Sequence, residues 1–247
     1  MSKWIRTVLI LLGVGGAVSV AMAIKNYGNS DGTTKQKILV EVWSDVVCPY
    51  CFLGKIKLEK AISSLEGEAE VQVVWKAYQL SPAFPLDSSM STFKYLSEHR
   101  GYPEQKLTRA TKALAEVGEK YGVDFHFEKA ISYNTLKAHR LIQWSAKSHK
   151  SSALKDALME AHFCLGIDLS SEVALLQIVE KVGLSKTEAQ QILGSNQFVA
   201  EVKDDMRRAE QLGITGVPFF LINGKQQISG AQDDRVFERA LQKALEE

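Results

Sequence analysis

The sequence predicts an α/β fold in which a sheet is split by a long, all-helical insertion. Three observations carry that prediction. An apolar run, Ile38-Leu39-Val40-Glu41-Val42-Trp43, leads through Cys48-Pro49-Tyr50-Cys51 into a helix-like stretch, Phe52 to Leu65. Far downstream, Val217-Pro218 stands before a second apolar run, Phe219 to Ile222, which Asn223-Gly224 turns back into Gln226 to Ser229. Between these two signals the hydrophobic spacing is helical.

In chain order, the first run reads as a strand and the two thiols sit on the turn into a helix, the layout of a thioredoxin-like redox site. Pro49 suits the first helical position, where a missing N–H costs nothing and a fixed φ helps. A thiol at Cys48 faces the unpaired N–H groups of the first helical turn, which favour a thiolate, and Cys51 lies one turn further in, placed to close a disulfide. Val71-Gln72-Val73-Val74-Trp75 reads as a second strand. Leu107, Ala110, Leu114, Val117 and Tyr121 then step by three or four behind Pro103 and predict a helix with a buried face. Asn134 or Thr135 is placed to cap a helix through Trp144, and Ser152 one through about Phe163. Glu172 to Val182 predicts a further helix stopped by Gly183. Ser185-Lys186-Thr187-Glu188 has the pattern of a capping box, and Phe198, Val202, Met206 and Ala209 form another stripe ending at Gly213. Asn223-Gly224 supplies the positive-φ residues of a type I′ hairpin turn.

Other uses of the cysteines fit less well. Zinc normally takes four ligands in two short-spaced pairs, whereas the only other cysteine here is Cys164 and the five histidines offer no pairing beyond His162-Phe163-Cys164, so no metal is expected. An inert disulfide closing so short a loop would constrain the unfolded chain little.

The segments Trp43-Ser44-Asp45-Val46-Val47-Cys48-Pro49-Tyr50-Cys51, Asn134-Thr135 with Ala138-His139-Arg140-Leu141, Gly166-Ile167-Asp168-Leu169, and Gly216-Val217-Pro218-Phe219-Phe220 with Ile228-Ser229-Gly230-Ala231-Gln232 together resemble the DsbA-like family, and within it the FrnE-like branch. The resemblance spans roughly residues 38–245. It implies a thioredoxin-like fold with a large inserted all-helical domain, residues 38–82 and 213–247 forming the first and residues 83–212 the second. It also implies a cis Val217–Pro218 bond beside the thiols, with Cys48 and Cys51 catalytic and Pro49, Tyr50, Val217, Pro218 and Asp45 binding substrate or tuning the pair. Tyr50 replaces the tryptophan usual in that branch, and Cys164 stands where a polar residue is common. The implied activity is thiol–disulfide exchange with client proteins bearing cysteine thiols, served by a redox recycling partner and needing no cofactor. Two other functions remain to be weighed. Glutathione-dependent isomerases and transferases of the kappa-class type share the architecture but typically carry serine at the nucleophile position. A redox-inert binding or holdase module would not need the thiols at all.

Asp45, three residues before Cys48, reads equally as a proton acceptor or as a solvated strand-end residue. His139 and Arg140 read as a structural pair, Cys164 as a half-buried small hydrophobe, and Phe84, Phe93, Tyr95 and Tyr102 as core.

With 45% hydrophobic and 24% charged residues the chain has material for a core and too little charge for disorder. A net charge of +1 without a basic cluster gives no basis for nucleic-acid binding. Lys3 and Arg6 precede an apolar run from Thr7 to about Val20, and Ala21-Met22-Ala23 has the small-x-small form of a cleavage site. Residues 1–23 therefore read as a signal peptide for export to the periplasm or another extracytoplasmic space. The alternative is an uncleaved anchor, a membrane tether through the N-terminus, because residues 7–24 just reach the lower limit of a bilayer span. Residues 24–37 read as a flexible linker.

Overall fold

Strand β1 (Gln36–Ser44) lies at the centre of the architecture because its side chains are buried on both faces from Val40 onward. The computed structural model describes residues 35–65 and 67–246. The expected leader and most of the expected linker lie outside the described residues. β1 begins at Gln36, inside the stretch read as linker, because Gln36 and Lys37 already pair with Ala69 and Glu70 of β2 (Ala69–Ala77).

Four strands make one sheet in the order β2-β1-β5-β6. β1 and β2 run parallel, joined by α1 (Pro49–Ser63), while β5 (Phe219–Ile222) and β6 (Gln226–Ser229) are antiparallel to their neighbours. Asn223 and Gly224 adopt φ of 49° and 69°, the left-handed pair that a type I′ turn requires, and Asn223 Oδ1 accepts a hydrogen bond from Leu39 N–H at 2.9 Å. That bond fixes the hairpin against β1. The last helix, α9 (Asp234–Leu245), is capped by Asp233 and packs on α1.

The insertion between β2 and β5 contains α2 (Thr92–Arg100), α3 (Glu104–Glu119), α4 (Leu136–Ser145), α5 (Ser151–Phe163), α6 (Glu172–Lys181), α7 (Lys186–Leu193) and α8 (Val199–Gln211). It is not purely helical. β3 (Ser89–Ser91) pairs antiparallel with β4 (Ile131–Tyr133), three-residue strands too short to show a period in the sequence. Ser185 caps α7 as its spacing predicts, its Oγ accepting from Glu188 N–H at 3.2 Å. The α3 stripe is less buried than its spacing suggests: Leu107 is covered but Ala110 is exposed. Of the four aromatic residues read as core, Phe84 is buried and Tyr102 is exposed.

The described residues form one compact unit in which the insertion shares its core with the sheet layers. Phe163 of α5 stacks on Phe52 of α1 at 6.3 Å, with Phe125 edge-on to both. On the opposite face of the sheet, α8 packs on β2, and Trp43 Nε1–H donates to the Asp205 carbonyl at 3.0 Å.

Candidate active site

Sequence places the two thiols on the first turn of α1 and the fold encloses them. Cys48 is the N-cap residue in an extended conformation, Pro49 is the first helical residue, and the N–H groups of Cys51 and Phe52 close the turn on the Cys48 carbonyl at 3.0 and 3.3 Å. Cys48 and Cys51 are both free thiols and both buried, with 5% and 1% exposure. Tyr50, on the outside of the same turn, is 54% exposed.

The hairpin brings the other half of the site. The Val217–Pro218 peptide bond is cis, as the resemblance implies, and the Cys48 thiol donates to the Val217 carbonyl at 3.5 Å. Gly230 N–H donates to the Pro218 carbonyl at 2.8 Å, tying the loop to the end of β6. The approach of α1 to this loop depends on a residue not singled out in the sequence, Gly54. A Cβ there would lie 2.9 Å from Pro218 Cγ and 3.1 Å from Phe220 Cζ. The sequence does carry a signal for it, since glycine in a helix interior costs about 1 kcal/mol relative to alanine and is retained where close packing demands it.

Asp45 is fully buried rather than solvated. Its Oδ1 meets His139 Nε2 at 3.2 Å and its Oδ2 accepts from Leu80 N–H at 2.8 Å. Burial alone would raise this carboxyl, but the hydrogen bond and charge of His139, the Leu80 N–H and Thr135 together hold it below the usual carboxylate range. His139 is thus drawn to the site, whereas Arg140 donates to the main-chain oxygens of Ile192, Ser195 and Gln197 and is structural. His162 packs against Tyr133, its Nδ1 3.3 Å from the tyrosine hydroxyl, and burial pulls its pKa down to about 4.

The two thiols titrate as a unit. The hydrogen bond shared with Cys51, then burial and the Cys51 charge, push the Cys48 thiol well above its ordinary range, and Asp45 adds to the effect. For Cys51 burial acts in the same direction, yet the hydrogen bond from Cys48 and the charge of Lys155 bring it below the ordinary range. The helix N-terminus favours a thiolate at Cys48, and the buried neighbour Cys51 opposes it.

Lys155 was the other residue missed. Its signal is a charged side chain within the apolar stripe Leu154, Leu158, Met159 and Ala161 of α5. No group of three or more His, Cys, Asp or Glu side chains capable of holding a metal occurs among the described residues. No helix among them is long and apolar enough to cross a membrane.

The strand–CxxC–helix unit, the cis-proline loop beside it and the helical insertion together form the arrangement described by the DSBA-like thioredoxin-domain model, which matches residues 39–242. The chain belongs to the DsbA-like family. Among curated proteins it is 27% identical over 206 residues to the uncharacterized protein YwbO of Bacillus subtilis, covering 82% of this chain and 94% of that one. A probable DsbA oxidoreductase of Streptomyces coelicolor superposes with a TM-score of 0.81 at 29% identity, over 85% of this chain and 91% of that one. A 2-hydroxychromene-2-carboxylate isomerase superposes with a TM-score of 0.63 at 19% identity, over 83% and 95% of the two chains, a likeness of fold alone.

Proposed function

We propose that this DsbA-like protein is an exported thiol–disulfide oxidoreductase that oxidises the thiols of client proteins through Cys48 and Cys51. The observation that carries the reading is the position of the Cys48 sulfur, at the start of α1 and 3.5 Å from the carbonyl that precedes cis-Pro218. In the oxidised enzyme a client thiolate attacks Cys48, the S–S bond to Cys51 breaks, and Cys51 leaves as a thiolate. A second client thiolate then attacks the client sulfur of the mixed disulfide, which releases Cys48 and oxidises the client. The better the leaving thiolate is stabilised, the faster the first step runs, which suits a Cys51 held below the ordinary thiol range.

The main chain of Val217 aligns the client strand, with Pro218 lacking an N–H that would compete for it. Pro49 shapes the turn and Tyr50 offers an exposed ring to the client. Asp45, kept ionised by His139, fixes the field behind the pair. A recycling partner reoxidises the dithiol. Export is supported by the charged start, apolar run and small-x-small site of residues 1–23.

The test is a trapping experiment in the exporting cell. A Cys51→Ala variant accumulates mixed disulfides through Cys48, and Cys48→Ala does not. Conjugates formed through Cys51 alone would overturn the assignment. Unfolded clients bound equally well with both cysteines replaced by serine, and no exchange by the native chain, would favour a holdase. N-terminal sequencing of the mature protein is expected to begin after Ala23; soluble full-length protein in the cytoplasm would remove export from the reading.

A further inference from the structure

Two segments flank the turn that carries the thiols. Ala77, the last residue of β2, pairs with Ser44 on one side of β1, and Phe219, the first residue of β5, pairs with Trp43 on the other. The chain leaving β2 and the Val217–Pro218 loop entering β5 therefore lie on opposite sides of the end of β1 from which Cys48 follows. The chain leaving β2 reads Leu80-Ser81-Pro82-Ala83-Phe84-Pro85-Leu86 and shows apolar side chains to water: Pro82, Ala83 and Pro85 are exposed, and Leu80 and Leu86 are 38% and 46% exposed. Only the Phe84 ring is buried, against Tyr95 at 5.1 Å.

This strap is held firmly in place. Leu80 N–H donates to Asp45 Oδ2 at 2.8 Å, and the Asp45 carbonyl accepts from Cys48 N–H at 3.3 Å, so a single residue links Leu80 to the first cysteine. Arg100 donates to the Leu80 carbonyl at 2.8 Å and to the Ser81 hydroxyl at 3.1 Å. Asn134 Nδ2 donates to the carbonyls of Pro82 and Phe84 at 3.1 and 2.6 Å. These bonds satisfy the main chain, and the two prolines have no N–H to satisfy. What remains accessible is apolar, fixed in shape and next to a reactive group. Contiguous apolar surface of this kind marks a docking site, and its fixed shape leaves little ordering to be lost on binding.

We propose that residues 80–86 form a wall on which the client docks, with Leu80 taking an apolar side chain next to the client cysteine and Leu86 extending the contact. The proposal rests on the exchange reading above and names the class of client that the site selects: a polypeptide whose cysteine is flanked by apolar residues. Cysteines in such surroundings are among the most buried side chains of a folded protein, so they meet this surface before the client has closed its core. The Val217 main chain holds the client on one side of Cys48 without regard to its sequence, and the strap on the other side supplies the preference. Asp45, Arg100 and Asn134 are positioning residues for the wall.

The test uses the oxidised full-length protein and reduced peptides of equal length, each with one cysteine, that differ only in the residues beside that cysteine. The leucine-flanked peptide is expected to be oxidised about tenfold faster than the serine-flanked one, the size of effect that covering one leucine side chain gives, and Leu80→Ser is expected to bring the ratio down to about twofold. Two further variants give a readout that a damaged fold would not produce. Relative to the native chain, Leu80→Lys is expected to favour the glutamate-flanked peptide over the lysine-flanked one, and Leu80→Asp to favour the reverse. Ratios that are the same in the native chain and in all three variants would overturn the proposal while leaving the exchange reading intact. A native chain that oxidises none of the peptides would overturn both.

Discussion

Lys55 on α1 and Lys155 on α5 approach the same indole, Trp75, at 6.0 and 5.0 Å, and both are 1% exposed. Their surroundings differ. Lys55 reaches Asp156 at 2.5 Å and also Glu59, carboxylates that are themselves half-exposed, so its charge is neutralised at the protein surface. Lys155 has the ring beside it and no carboxylate partner among the described residues, and burial pulls its pKa down to about 8. The difference separates a cation tolerated because it is paired from one whose burial is left uncompensated by any carboxylate. Two lysines on one aromatic ring thus belong to different parts of the account.

The largest expected effect breaks the first half of the comparison. Replacing both Glu59→Gln and Asp156→Asn strands the Lys55 ammonium in the core and is expected to cost about 3–5 kcal/mol of stability, read from urea midpoints, because removing the partners of a buried charge leaves it uncompensated. A loss below about 1 kcal/mol would mean that the ring alone sustains the charge.

The second prediction has the opposite sign. A lysine with a depressed folded pKa destabilises the fold fully below that pKa, and the penalty fades as pH rises to the unfolded value. Reduced Lys155→Met is therefore expected to be more stable than the native chain by up to about 3 kcal/mol at pH 7, the gap closing between about pH 8 and 10.5. Equal stability of the two proteins across that range would show that Lys155 carries no burial penalty.

Next, the α1 side of the ring also carries Gly54. Gly54→Ala forces a Cβ against Pro218 and Phe220 and is expected to cost about 1–3 kcal/mol, with exchange slowed because the proline loop is displaced from Cys48. Native stability together with native rates would show that the loop gives way freely. The smallest effect is at Tyr50. Its exposure predicts a stability change within about 0.5 kcal/mol for Tyr50→Ala, any loss appearing in client exchange instead.

The strand–CxxC–helix unit and the Pro218 hairpin were legible because each is written in consecutive residues whose chemistry admits few conformations: Pro49 at the helix start, Asn223-Gly224 at the turn. The cap at Ser185 and the stop at Gly183 were local in the same way. What escaped depended on contacts between distant segments. Asp45 looked like a strand-end residue until His139, from another helix, closed on it. Lys155 lies 104 positions after Cys51 in the numbering, and nothing in its own helix says which buried group it will face. The β3–β4 pair joins segments that flank two helices and is too short to announce itself.

The central claim is that Cys48 and Cys51 form a reversible dithiol–disulfide couple poised to oxidise clients. Equilibration of the purified protein against glutathione buffers, followed by acid quenching, thiol alkylation and mass analysis of the peptides, tests it most directly. The account predicts a single two-electron transition linking Cys48 to Cys51, with Cys164 remaining a thiol and a midpoint well above the value of about −270 mV typical of thioredoxin. A pair that stays reduced throughout, a disulfide involving Cys164, or a midpoint at or below that of thioredoxin would contradict it.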